Sequence, residues 1–220
     1  HCIMLEERII ESKDWATILF VVSFVVIVVA KTFFETRFNE FLKLIVSDKY
    51  IKIYKDGSHT ISWFNVAMFF VHIVSVSFFT QVSLSAFGLV SKYSGLVFIQ
   101  ITTVVTVFVL SKILIDKIIA ASFGVEEFGD QFSSQKINYR NYMAFLLLPV
   151  SVFLFYNNFE SIVLYYVLFS IILLVLLMIF VKNLKINKNI IFHNLFYFIL
   201  YLCVLEIAPY YFMYYLFTCS

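Results

Sequence analysis

Of 220 residues, 62% are hydrophobic and only 14% charged, whereas a soluble domain of this length needs roughly a quarter of its residues charged to meet water. Lipid is therefore the expected solvent. The formal net charge of +2 and the scatter of basic residues among short loops exclude a nucleic-acid surface, and Cys2, Cys203 and Cys219 lack the spacing of a zinc site or a disulfide framework.

With 2 prolines and 5 glycines, and runs that are apolar on every side instead of alternating, the spanning elements read as helices, not barrel strands. Uninterrupted apolar runs place them at Trp15–Phe34, Trp63–Ala86, Ser94–Ile115, Tyr142–Tyr156, Ser161–Val181 and Ile190–Leu216. The first lacks a small-residue cleavage site and reads as a retained helix. The expected architecture is an all-α transmembrane bundle of about six helices, forming one domain over residues 1–220.

Two connections exceed a tight turn. In Arg37–Lys55, Phe38, Phe41, Leu42 and Ile45 recur at helical spacing beside Arg37, Glu40 and Lys43, as in a short helix lying in the headgroup layer. Tyrosines and lysines then alternate from Lys49 to Lys55, as interfacial aromatics with snorkelling lysines. Ala120–Tyr139 carries Glu126, Glu127 and Asp130 among phenylalanines. It reads as a solvated acidic face or an amphipathic helix at the cytoplasmic mouth, with Arg140 next to it. These four charged residues are the candidates for contact with a partner.

Orientation follows from charge, because lysine and arginine are retained on the cytoplasmic side. Apart from Arg8, Lys13 and Lys92, all 16 fall in the tracts joining helices one to two, three to four and five to six. Both termini are then expected on the non-cytoplasmic side, in agreement with an even helix count. Trp15, Trp63 and the tyrosines after Pro209 mark helix ends as an aromatic belt.

Polar side chains inside a membrane are costly, about 2.5 to 3.5 kcal/mol for a central charge on insertion scales, and so are functional candidates. They are His72 and Gln81 in the second run, Gln100 in the third, and His193 and Glu206 in the sixth. Glu206 has no cation near it in sequence, and Pro209, three residues on, removes a backbone donor and kinks the helix. A carboxyl beside a kink suits a proton or cation relay, or a hydrogen bond to Gln81 or Gln100 that locks the bundle. Along the second run, His72, Ser75 and Ser83 share one stripe and Ser77, Gln81 and Ser85 another. Thr102, Thr103 and Thr106 share an arc of the third, while Lys112 and Asp116, four apart, are placed to pair where it leaves the membrane. His72 and His193 lie at different depths, which argues against a haem between them. No phosphate loop, nucleophile elbow, His-Glu-x-x-His pattern or carboxylate-rich metal motif is present in the sequence. No cofactor, metal or catalytic residue is assigned.

Several stretches together resemble a family of polytopic inner-membrane proteins from Bacteroidetes-type bacteria, described only as a domain of unknown function. They are Lys13-Asp14-Trp15, Arg37 to Phe41 with Asp48-Lys49-Tyr50, Lys136 to Arg140 with Pro149, and Leu202 to Pro209. The resemblance spans nearly the whole chain. It implies the inner membrane of a Gram-negative envelope and carries no activity.

Few scattered polar residues and short loops favour a non-enzymatic membrane component that packs against other membrane or envelope proteins. One alternative is a small proton- or ion-coupled transporter or channel using Glu206, His72, Gln81 and Gln100. The other is a membrane enzyme acting on a lipid-linked substrate, built from Asp116, Glu126, Glu127, Asp130 and Arg140.

Overall fold

The computed structural model describes residues 13–42, 63–122, 126–157 and 162–186. Among these residues every regular element is a helix: α1 (Asp14–Phe33), α2 (Glu35–Leu42), α3 (Trp63–Ala86), α4 (Gly95–Ser122), α5 (Glu126–Tyr156) and α6 (Ile162–Ile186). Three stretches, α1, α3 and Gly95–Ile118 of α4, are long and apolar enough to cross a membrane. At 1.5 Å per residue the 20 residues of α1 reach about 30 Å, the thickness of a bilayer's hydrocarbon core. Ile190–Leu216, with His193, Glu206 and Pro209, lies outside the described residues, as does the Lys49–Lys55 stretch.

The helices are not equivalent. Of the apolar window of α3, 67% is buried, against 22% for α1 and 11% for α4. The central helix therefore turns protein-facing side chains in all directions, which removes the one-sided pattern a surface helix would show. It packs most extensively on α5 and also against α1 and α4. Small residues allow the α3–α5 approach: Ser75 and Ser151 are fully buried and Ala144 is 1% exposed. The Ser151 hydroxyl donates to its own Leu147 carbonyl at 2.9 Å and to the Ser75 carbonyl at 3.3 Å, so it satisfies itself while touching the neighbouring backbone. Ile18, Val21 and Val25 on α1, and Leu96, Ile99, Val104 and Val107 on α4, project outward. In water such faces would be an aggregation hazard; against lipid they cost nothing.

Several boundaries differ from those read along the sequence. α4 continues to Ser122, not Ile115. α5 starts at Glu126, not Tyr142, so the Ala120–Tyr139 tract divides between two long helices. A hydropathy window ends a helix where polar residues begin, but Ser133, Gln135, Asn138 and Asn141 are buried against protein and hold the helix there. α2 forms where a headgroup helix was expected, yet Arg37, Phe38 and Phe41 are buried. Its apolar face turns inward onto Phe64, Met68 and Tyr142. Trp15 stands at the start of α1, as expected, but is packed on protein. Its ring stacks on Phe78 at 5.7 Å and its Nε1 donates to the Tyr93 carbonyl at 3.2 Å, whereas Trp63 is 82% exposed at the start of α3.

The turn after α3 is fixed by Gly88. Its φ of +73° places it in the left-handed region, where glycine pays no Cβ penalty. Gly88 N–H donates to the Ser85 carbonyl at 2.9 Å and Leu89 N–H to the Leu84 carbonyl at 3.0 Å. This is the Schellman pattern that closes a helix end.

Candidate functional site: a buried polar cluster between three helices

At the Trp63 end of the bundle, polar side chains from α2 to α5 turn inward. α3 contributes Asn65 and His72, seven residues apart and so on one face, at 5% and 6% exposure. α4 contributes Asp116 at 7%, and α5 contributes Asn138 at 4% and Asn141 at 1%. From α2, Arg37 places its guanidinium 5.0 Å from the Phe64 ring centre and donates from Nη2 to Asn65 Oδ1 at 3.2 Å. The ring and the amide together give a buried cation both a π face and an acceptor.

The centre of the cluster is Arg140. Its backbone hydrogen-bonds the His72 ring, and its guanidinium lies within electrostatic reach of both His72 and the Asp116 carboxylate. Although the Arg140 side chain is only partly buried as a whole, its Nε and Nη2 are enclosed and find no hydrogen-bond partner among the described residues. The same holds for His72 Nδ1, Asn138 Oδ1 and Asn141 Oδ1. Orphaned buried polar atoms are rare in folded proteins, each costing about 1 to 3 kcal/mol. An enclosed guanidinium edge of this kind still offers two donors to a ligand or to water.

The positions singled out in the sequence are not all brought together. His72 belongs to the cluster. Gln81 sits at the opposite end of α3, where its Nε2 donates to the Ser91 carbonyl at 3.3 Å and the Ser94 carbonyl at 2.9 Å and ties down the α3–α4 turn. Gln100 is exposed on the outer face of α4, away from Gln81. Asp116 is 7% exposed and lies within electrostatic reach of Arg140. Glu126, Glu127 and Asp130 open α5, and at 1.5 Å per residue Glu126 is about 21 Å along the helix from Arg140. Of the five polar residues read as an enzyme site, only Asp116 and Arg140 converge. Among the described residues, no three His, Cys, Asp or Glu side chains gather to hold a metal ion.

Asn65, Asn138 and Asn141 escaped the sequence reading because they fall at or beyond the ends of the apolar runs. One signal for them exists. Gln135, Asn138 and Asn141 recur every three residues, and all three are buried, an amide pattern that a solvated loop has no reason to keep.

At the opposite end the chemistry is of another kind. Lys92 donates to the Asn157 carbonyl at 2.7 Å. Burial and the positive charge of Lys13 hold its ammonium well below the usual lysine range, at about 8. Trp15, Phe20, Phe78, Phe98 and Phe155 fill the space beneath it.

A family model described as a domain of unknown function (DUF4271) matches residues 16–217. No curated protein and no solved structure matches the chain.

Proposed function

The chain belongs to the DUF4271 family, and from that premise and the geometry we propose that it is a multi-pass protein of a bacterial cytoplasmic membrane that takes a polar solute into its bundle, as a small transporter does. The observation that carries this reading is the enclosed cluster around Arg140. Charge inside a bundle at membrane depth is expensive and is kept where it has a task. A purely structural core would gain by replacing such a group with apolar packing. The distribution of lysine and arginine supports an orientation in which the Arg140 end faces the cytoplasm and the Lys92 turn faces outward.

The test needs no knowledge of the solute. In a background lacking the native cysteines, Asn141→Cys should react with a small charged thiol reagent applied from the cytoplasmic side, although Asn141 is only 1% exposed. An unreactive thiol would mean that the cluster is sealed and would remove this reading. Ser91→Cys, on the exposed turn, should react from outside intact cells, and labelling only after permeabilisation would invert the orientation.

A second reading, a subunit of an envelope assembly, is favoured by Gln100. An amide exposed on the outer face of a spanning helix gains from meeting another helix. Gln100→Leu should then weaken crosslinking to a neighbouring protein while leaving the isolated chain as stable as before.

A further inference from the structure

The Arg140 cluster narrows the class of solute. Nε–H and Nη2–H form one edge of the guanidinium, two parallel donors whose spacing matches two oxygens of a carboxylate or phosphoryl group. Both donors of this edge are buried and have no hydrogen-bond partner among the described residues, so Asp116 answers the charge of Arg140 without using it. On α3 the His72 ring donates to the Arg140 backbone on one side, leaving Nδ1 as an acceptor with no partner among the described residues.

We propose that the side-on edge of the Arg140 guanidinium binds a singly charged oxyanion through two of its oxygens, with His72 Nδ1 accepting a hydrogen bond from a hydroxyl or amine that the same ligand carries. Asp116 sets the charge limit. With a carboxylate already in the field of Arg140, a second negative charge on the ligand would be repelled, whereas one is accommodated. This chemistry is shared by a free small anion, such as dihydrogen phosphate or a hydroxy acid, and by the phosphodiester of a lipid headgroup. The site lies within the first three turns of α3, close enough to one membrane face for either source.

This inference rests on the solute-binding reading, but its test separates the two. The full-length protein in a non-phosphate detergent is treated with phenylglyoxal, which modifies guanidinium groups, and the Arg140 peptide is followed by mass spectrometry. Inorganic phosphate, lactate, and short-chain phosphatidylglycerol in mixed micelles are the probes. Protection of Arg140 by phosphate or lactate identifies a free anion, and protection by phosphatidylglycerol alone identifies a headgroup. Protection by none of the three overturns the site, even where Asn141→Cys has proved accessible and the broader reading stands. Arg140→Lys keeps the charge and loses the two-donor edge. The apparent affinity for the protecting probe, measured by its effect on thermal unfolding, should fall about tenfold or more, as expected for one charge-assisted hydrogen bond. An undiminished affinity in that variant would show that the edge is not what binds.

Discussion

The two ends of this bundle solve the same problem in opposite ways. At the Lys92 end, Phe78 lies 4.1 Å from Phe20, 4.4 Å from Phe98 and 5.5 Å from Phe155, centre to centre, and the donors of Trp15, Gln81 and Lys92 are tied to backbone carbonyls. At the Trp63 end, Phe38, Phe41, Phe64 and Tyr142 build a comparable aromatic cluster. Near it, Arg140, His72 and two asparagines keep donors and acceptors that have no partner among the described residues. Aromatic packing therefore holds both ends. Buried polar atoms without a hydrogen-bond partner occur at both, Gln81 Oε1 and Ser83 Oγ among them at the Lys92 end, but among the described residues only the Trp63 end leaves atoms of a charged side chain, Arg140, in that state.

The largest effect that sharpens this contrast is Phe78→Ala, which removes the ring shared by Trp15, Phe20, Phe98 and Phe155. Truncation of a buried phenylalanine costs about 3 to 5 kcal/mol, and thermal unfolding in detergent should show the loss. A Phe78 variant that melts like the parent would mean that the aromatic cluster is not what holds this end. Next is Gln81→Leu, which strips two donors from the α3–α4 turn and should cost about 1 to 2 kcal/mol by the same measurement. The matching change at the other end should behave differently. Arg140→Gln combined with Asp116→Asn removes both charges together and is expected to leave stability within about 1 kcal/mol of the parent, because desolvation offsets most of what a buried pair gains. A large loss in the double variant would make the cluster a structural clasp.

The smallest effect is a pH dependence. Lys92 has a folded pKa of about 8, below the ordinary 10.5, so between these values the unfolded chain binds more protons than the folded one. Stability should then rise with pH across that window, and the penalty should be fully present below pH 8. Lys92→Met should flatten this slope in melting curves taken between pH 8 and 10. A slope that survives the substitution would have to come from another group.

How far the sequence could be read depends on which signal each part used. Residues 63–86 were bounded to the residue, since Trp63 opens an apolar run and Gly88 closes it with a turn only glycine makes cheaply. A helix within Ala120–Tyr139 was one of the readings, but its continuity with the apolar run after it was missed, because its amides look like loop chemistry until something is packed on them. Arg140 was placed in a group with Glu126 and Asp130 by nearness along the chain, although a continuous helix holds them several turns apart. His72 was singled out by the cost of a histidine inside an apolar run, but nothing in the sequence pointed to its neighbour.

By itself the sequence determined that the elements are helices, that several runs are long and apolar enough to cross a membrane and where most of those runs lie, because these depend on local composition and on the length needed to cross hydrocarbon. The tertiary structure decided which helix is central, that Gln81 closes a turn while Gln100 faces outward, and that Arg140, His72 and Asp116 meet. Those outcomes depend on the rotation of each helix about its axis. That rotation is fixed by small residues and rings fitting against partners distant in sequence, and uniformly apolar runs leave no one-sided pattern from which to read it.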